Sequence, residues 1–494
     1  MNLVFNHNYV LKHDGKRTYI YSKRRNESSA SGDFYNQSWI SKIHPIYAMF
    51  FSLATTPVSF EELVNNVSFF FDISNEKAKD IILEFCNRET PFYSKFGGVT
   101  SQFPKNVLIE SQHLTAPLRH YTPEDFSFKE VELNRERMYL SPMTVVLMPN
   151  SNCSTDCAYC YADRRKHAQM ELEKMETLIR ECKETGISHI SLTGGDIFLY
   201  KHWKKLLQNM VDNDFDIGLL STKTPINKED IEYLKTYNAE LQFSLDAASP
   251  EILTELLRVN ASYLDKVKKC FYELEEAGIQ FRVTTVLTNI NATPVLMEEL
   301  YSFIKQFSNI NAWHIRIAMK SLYSKKEFDS LKLSQETYNA INEKIKAIKE
   351  DAYFEIQFDD ANSKHYFEGH NGSKSFKGAR CSANYSNIMI LPDGKVTICE
   401  QLYWNPQFII GDIYKQKITE IWNSERALQL AFPEQKAFRK SSPCKKCNLF
   451  EECYSFPNRC IVDVLKGYGY EYADYPDPRC AKAPKFNYNL NSIL

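Results

Sequence analysis

The sequence predicts an α/β protein built on a partial (β/α)6 TIM-like barrel, preceded by an N-terminal winged-helix-like α+β module and followed by a C-terminal cysteine-rich extension. Three observations predict this. Within residues 139–350, six strand-like apolar runs alternate with helix-length amphipathic segments, the pattern of a parallel sheet with crossover helices. Ahead of them, two strand-like runs precede three helical patterns. Behind them, seven of the 13 cysteines crowd the last quarter of the chain.

With 494 residues, the chain has room for about three domains of ~150 residues each. The boundaries are expected at 1–115, a polar connector at 116–138, the barrel at 139–350, and a bridging region with the extension at 351–494. The 43% hydrophobic and 25% charged shares are those of an ordinary globular protein. No apolar stretch reaches the ~18 residues of a membrane span, and the opening MNLVFNHNYVLKH lacks the basic and apolar regions of a signal peptide. A cytoplasmic location without membrane contact is expected. The net charge of -2 supplies no global field for nucleic acid.

In the first module, YVLKH and RTYIYSKR are strand-like and meet around Asp14 and Gly15, a hairpin turn pair. A helix near 44–56 carries Ile46, Met49, Phe50 and Leu53 at helical spacing. A second starts at Ser59, with Glu62 completing a capping box, and a third runs over 75–89, followed by PFYSKFGGVTSQF. NESSASG at 26–32 reads as a loop. Lys16, Arg17, Lys23, Arg24 and Arg25 are candidates to attract an acidic peptide; a solvated charged hairpin is the plainer alternative.

The barrel strands are MTVVLM, HISLT, IGLLST, LQFSLD, FRVTTVL and WHIRIAM. The first five are followed by helices near 168–184, 201–213, 227–237, 250–276 and 295–307. Chemistry in such a sheet sits at the carboxyl ends of the strands. NSNCSTDCAYCYADRR follows directly on MTVVLM, which puts Cys153, Cys157 and Cys160 there. Three thiolates hold three irons of a [4Fe-4S] cluster and leave one iron open to chelate an amine and a carboxylate. A zinc site would want a fourth ligand nearby, and none lies within several residues of Cys160.

After about residue 375 the texture changes to short hairpins such as NIMILPDGKVTIC, with Asp393 and Gly394 at the turn. Here lie Cys381, Cys399, Cys444, Cys447, Cys453, Cys460 and Cys480. Disulfides are rare in the cytosol, and no histidine lies among the last five to suggest a mixed zinc finger. Two clusters fit the count, and bound metal would staple a region poor in apolar core. Cys86, Cys182 and Cys270 stand alone in helical patterns and read as buried small hydrophobes.

The CxxxCxΦC arrangement, with Tyr159 as its aromatic, resembles the signature of the radical S-adenosylmethionine (SAM) superfamily. That resemblance implies a reduced cluster that cleaves SAM to a 5'-deoxyadenosyl radical, which abstracts hydrogen from a substrate carbon. Thr193, Gly194, Gly195 and Asp196 resemble the family's GGE motif, whose backbone and acid receive the SAM ammonium, with Asp in place of Glu. FSLDAASPEILTELLRV is similar to the family's fourth-strand motif, which makes Ser244, Asp246 and Arg258 candidates for the SAM ribose and carboxylate. Asn291 is a weaker adenine-side candidate.

The second cysteine field, with GDIYKQKITEIWNSE within it, resembles the SPASM extension. The resemblance assigns Cys381, Cys399 and Cys460 to a first auxiliary cluster, and Cys444, Cys447, Cys453 and Cys480 to a second, for three [4Fe-4S] clusters in all. Two departures stand out. Six residues separate Cys453 from Cys460 where the pattern has three, and no cysteine shortly precedes Cys381 in HYFEGHNGSKSFKGAR. The first auxiliary cluster is therefore expected to keep an iron open for a substrate thiolate.

Two strands followed by three helices resemble a RiPP recognition element, the leader-binding module of enzymes that modify ribosomally made peptides. These resemblances together imply a maturase of a precursor peptide, whose leader is bound by residues 1–115. An external donor such as flavodoxin or ferredoxin would supply electrons, and the product would be a thioether between Cys sulfur and carbon. The alternatives are carbon-carbon crosslinking, formylglycine formation on a sulfatase, and a non-catalytic peptide-binding scaffold.

Overall fold

The computed structural model describes residues 2–22, 39–86, 88–115, 119–237, 239–358, 381–455, 457 and 459–485. The chain divides into two compact units, Met1–Ser141 and Pro142–Leu494.

In the first unit, Tyr9–His13, Thr18–Ser22 and Ile40–Ile43 form an antiparallel sheet in chain order. The first two strands turn at Asp14 and Gly15, whose φ of 69° suits glycine. Helices follow at Pro45–Ser52, Phe60–Phe71 and Asn75–Phe85. The Ser59 hydroxyl caps the second by accepting the Glu62 N–H at 3.2 Å. The third ends at Phe85 rather than 89, because Cys86 adopts extended backbone. A hairpin, Phe92–Phe96 with Val99–Phe103, completes the run. Phe51, Phe85 and Phe103 pack edge to face at the centre, with centroids 5.0 Å apart for Phe85 and Phe103.

Residues 119–141 pack with this unit. The reason is Arg17. Its side chain is fully buried, its Nε donates to Asp14 at 2.9 Å, and its Nη groups donate to the carbonyls of Leu133, Arg135 and Arg137. Asp14 accepts in turn from the Tyr139 and Leu140 N–H groups at 2.8 and 3.0 Å. Arg17 is thus a structural cation and has no charge to offer a peptide. Lys16 pairs with Glu130 at 2.5 Å. Lys23, Arg24, Arg25 and the 26–32 loop lie outside the described residues.

The second unit has the TIM-like α/β order that the periodicity predicts. Its strands are β1 (Thr144–Leu147), β2 (His189–Leu192), β3 (Leu219–Thr222), β4 (Glu240–Ser244), β5 (Phe281–Leu287) and β6 (Ile310–Ile317). The helices between them are α1 (Leu172–Glu184), α2 (Trp203–Asp212), α3 (Lys228–Lys235), α4 (Pro250–Leu257), α5 (Tyr263–Glu276) and α6 (Pro294–Ile304). The single helix expected over 250–276 is two, because Arg258 takes a left-handed φ of 55° and ends α4. Beyond β6, α7 (Gln335–Asp351) leads to another parallel strand, β7 (Glu355–Phe358).

The strands fall into two ladders. One runs β3-β4-β5-β6-β7, all parallel. The other joins β2 and β1 to the extension's own strands: β8 (Asn387–Ile390) pairs in parallel with β1, and β9 (Lys395–Thr397) and β10 (Ile409–Asp412) add antiparallel. The extension thereby satisfies the backbone of β1, which would otherwise be a sheet edge. Gly394 turns the β8–β9 hairpin with a φ of 82°. Cys86, Cys182 and Cys270 are all buried, as expected. Among the described residues, no helix is long and apolar enough to cross a membrane.

Candidate active site

The loop after β1 is held at both ends. The Ser151 and Ala168 backbones and the Ser151 hydroxyl close its base at 2.9–3.3 Å. Its middle rests on the end of α4: the Asp156 and Ala158 N–H groups donate to the Leu257 and Leu256 carbonyls at 2.9 and 2.8 Å. Those carbonyls lack intrahelical partners because α4 stops there. The break at Arg258 therefore positions Cys153, Cys157 and Cys160. Cys157 is buried, and its sulfur lies 3.3 Å from the Thr155 hydroxyl.

The three thiols share one electrostatic neighbourhood. Cys153 reaches the surface, yet desolvation within the loop raises its thiol, Arg164 opposes the shift, and Cys160, Asp196 and Cys157 add to it. Burial likewise raises Cys160, with Cys157 contributing. Among the described residues, no three His, Cys, Asp or Glu side chains converge closely enough to share a single metal ion.

Thr193, Gly194, Gly195 and Asp196 lie directly against this loop. A Cβ on Gly194 would stand 2.6 Å from the Asn150 carbonyl oxygen, and one on Gly195 would stand 2.0 Å from that of Asn152. The Gly195 and Asp196 N–H groups donate to those same carbonyls. The glycines are therefore required by the cysteine loop itself.

The Asp196 carboxylate is heavily engaged. Its Oδ2 accepts the Thr222 and Thr224 hydroxyls, both at 2.7 Å, and the Lys223 and Thr224 N–H groups, both at 3.1 Å. Its Oδ1 accepts the Phe198 N–H at 3.1 Å. Four of these donors crowd Oδ2 and one reaches Oδ1, so Oδ2 is fully used while Oδ1 keeps an acceptor position. These bonds cross from the end of β2 to the end of β3, where the two ladders are not paired.

Asp246, fully buried at the end of β4, accepts from the Tyr159 hydroxyl, from Lys223 Nζ at 2.8 Å and from the Val286 N–H at 2.9 Å. Ser244 is buried one step earlier on β4. Arg258 reaches Asp156 at 2.6 Å, where Arg164 and Lys325 also pair at 2.8 and 3.1 Å. Asn291 spends its amide on the Asp246 and Val286 carbonyls and its oxygen on Thr288, which leaves no group for an adenine.

In the extension, proximity sorts the seven cysteines into two sets. Cys460 is raised by burial, with Cys399 and Cys381 among the further causes, and Cys399 is raised to about 12 by burial with help from Cys381. Cys453 is raised to about 11 by burial, then by Cys444, Cys480 and Cys447. Side chains of neighbouring loops support both sets. The Cys460 and Cys480 N–H groups donate to the Asp477 side chain and backbone, and Gln435 donates to the Cys444 and Cys447 carbonyls at 2.9 and 2.8 Å. No cysteine of the chain is in a disulfide. Two groups of neighbouring reduced thiols fit iron-sulfur ligation. The stretch before Cys381 lies outside the described residues.

Several groups in the site escape sequence reasoning. Lys223 and its flanking threonines stand at the carboxyl end of β3, a position that could have singled them out. Tyr161, just after Cys160, neighbours Glu400, Tyr403 and Thr193. Burial raises the Glu400 carboxyl and Arg316 opposes the shift.

Residues 147–304 match the model of the radical SAM superfamily, and residues 381–448 match SPASM, an iron-sulfur cluster-binding domain. The sporulation killing factor maturation protein SkfB of Bacillus subtilis is 25% identical over 297 residues, which are 58% of this chain and 67% of SkfB. The antilisterial bacteriocin subtilosin biosynthesis protein AlbA, also of Bacillus subtilis, is 22% identical over 330 residues, 66% of this chain and 68% of AlbA. The crystal structure of Streptococcus suis SuiB bound to precursor peptide SuiA shares the fold with a TM-score of 0.62. It is 16% identical, with 97% of this chain and 100% of that one covered. Residues 147–304 are thus a radical SAM domain and residues 381–448 an iron-sulfur cluster-binding SPASM domain, and the chain is an enzyme that uses SAM and several [4Fe-4S] clusters.

Proposed function

We propose that this enzyme modifies a ribosomally synthesised precursor peptide and forms thioether links between Cys sulfur and carbon. One observation carries the reading: a three-thiol loop at the carboxyl end of β1 shares a unit with two further thiol sets of three and four. The names of SkfB and AlbA, a maturation and a bacteriocin biosynthesis protein, and the precursor peptide bound to SuiB, point to the same substrate class.

In this reading Cys153, Cys157 and Cys160 hold the first cluster. Cys381, Cys399 and Cys460 hold a second, and Cys444, Cys447, Cys453 and Cys480 a third. When bound, the first cluster and SAM supply the carbon radical that removes a substrate hydrogen. The chain's own residues bind and orient. The carbonyls of the Thr193–Gly195 turn and the open side of Asp196 Oδ1 receive the SAM ammonium, while Oδ2 is held by the end of β3. Ser244 faces the ribose, and Arg258 the carboxylate. A substrate cysteine completes the three-thiol set of the extension.

The first unit reads the leader as a winged-helix-like module over residues 1–115, by strand addition to its sheet. Its element order supports this, as do Phe69, Phe70 and Leu83, large apolar side chains left exposed on the second and third helices. Flavodoxin or ferredoxin supplies the electron in a cytoplasm that keeps all these thiols reduced.

The test is anaerobic turnover with the peptide encoded in a neighbouring short reading frame, followed by mass spectrometry. Loss of two hydrogens per link together with loss of free thiols is expected. Loss of hydrogens with every thiol still alkylatable would reject the thioether in favour of a carbon-carbon link.

A further inference from the structure

Lys223 is a largely, not fully, buried cation whose placement nothing in the SAM-binding motifs calls for. It is held from two sides. Its backbone N–H donates to Asp196 at 3.1 Å, and its Nζ donates to Asp246 at 2.8 Å, with the Tyr159 ring 5.7 Å beneath the ammonium. The neighbouring Tyr263 hydroxyl donates to the Lys223 carbonyl at 2.6 Å, so the main chain is fixed as well. An ammonium anchored through both backbone and side chain has lost the freedom that makes a surface lysine electrostatically weak.

The surroundings show what this charge faces. Burial works against the Lys223 ammonium, but Asp246 and then Cys157 and Cys160 more than offset it, and its pKa stands above the ordinary lysine value. Other charges touch the same loop from other sides: Arg164 is beside Cys153 and Cys160, Asp196 beside Cys153, and Asp156 beside Cys160. Arg164 spends its charge on Asp156, which is partly open to solvent. Lys223 acts on Cys157 from the carboxyl end of β3, paired with the fully buried Asp246, where screening is weaker than at an exposed pair.

We propose that Lys223 is a positioning residue for charge, which raises the reduction potential of the [4Fe-4S] cluster on Cys153, Cys157 and Cys160. A cluster held by three thiolates becomes more negative by one charge on reduction, so a fixed neighbouring cation favours the reduced form. Asp246 tempers the effect, because its carboxylate neutralises part of that field. Asp196 acts through the backbone, by fixing the turn that aims Lys223. The proposal rests on the reading that these three cysteines hold the cluster.

The test is an EPR-monitored redox titration of the anaerobically reconstituted full chain. The signal to follow is the one whose shape changes when SAM is added, which separates the first cluster from the others. Lys223→Met is expected to shift the balance toward the oxidised cluster at least tenfold, about 59 mV downward for one electron. Lys223→Arg is expected to stay near the parent, and Asp246→Asn to shift upward. An unchanged midpoint in Lys223→Met overturns the proposal. If that variant fails to hold the cluster, Asp246→Asn decides, because no upward shift there overturns it equally. A parent protein without any SAM-sensitive signal defeats the cluster assignment instead, and is recognised before any variant is made.

Discussion

The Oδ2 oxygen of Asp196 accepts the Thr222 hydroxyl at 2.7 Å, and with it a bond passes from the end of β2 to the end of β3, where the two ladders are not paired. The acid of the glycine-rich turn is thereby a staple between strands. Asp196→Asn presents an NH2 group to donors or loses half the acceptors. We expect a loss of about 1–3 kcal/mol in urea unfolding, as for a buried donor left unsatisfied. SAM affinity measured on the folded fraction is expected to fall much less than stability. An unchanged unfolding midpoint would show that the Thr222–Thr224 segment holds itself.

Gly195→Ala places a methyl group 2.0 Å from the Asn152 carbonyl oxygen, inside the backbone that leads to Cys153. The loop must move. Iron per chain is expected to drop by about four while the other clusters remain, since a [4Fe-4S] group is lost as a unit. Full iron content would mean that the loop yields without losing its ligand geometry.

The thiol sets predict separable losses. With ~12 irons in the parent, Cys157→Ala and Cys453→Ala should each retain about eight, and the double variant about four. Parallel iron and sulfide assays decide this. A single substitution that removes all iron would mean that the sets are not independent.

Arg17 and Lys16 are adjacent on one hairpin and are expected to behave oppositely. Arg17→Leu leaves the buried Asp14 carboxylate without its cation and strips partners from three carbonyls. Removing one partner of a buried pair costs about 3–5 kcal/mol, enough to unfold a marginal unit. Lys16→Ala breaks an exposed pair with Glu130 and a cation contact over the Tyr139 ring, and is expected to leave the melting temperature nearly unchanged. Thermal unfolding of the two variants makes the comparison.

His44 makes the first unit sensitive to acid. Its Nδ1 accepts the Ile46 N–H at 3.1 Å as the N-cap of the 45–52 helix, and burial lowers its pKa below the ordinary 6.5. A depressed folded pKa gives stability that is present above 6.5 and is lost as pH falls through the folded value. The melting temperature is expected to fall as the pH drops below 6.5. His44→Asn, which keeps an N-cap acceptor, should flatten that part of the profile.

The order of strands and helices was legible because a two-residue period and a 3.6-residue period are written into the apolar positions of each segment. The cysteine loop was legible for a different reason. Its spacing is local, and MTVVLM in front of it places it at a strand end without knowledge of any distant contact. The grouping of Cys444, Cys447, Cys453 and Cys480 followed from their resemblance to a spaced pattern, and the structure places these thiols as neighbours.

What the chain alone could not reveal depends on where residues far apart in sequence meet. Arg17 reads as a surface charge until residues 133–137 close over it. Asp196 reads as a ligand acceptor alone until the end of β3 fills its Oδ2 and makes it a staple as well. Lys223 carries no motif and acquires meaning from Asp246, 23 residues away on the next strand. Local pattern thus determined which elements form and which cysteines cluster. Tertiary packing decided which charges are spent on the fold and which face the chemistry, because a charge is given its role by the partners and the burial that only long-range contacts supply.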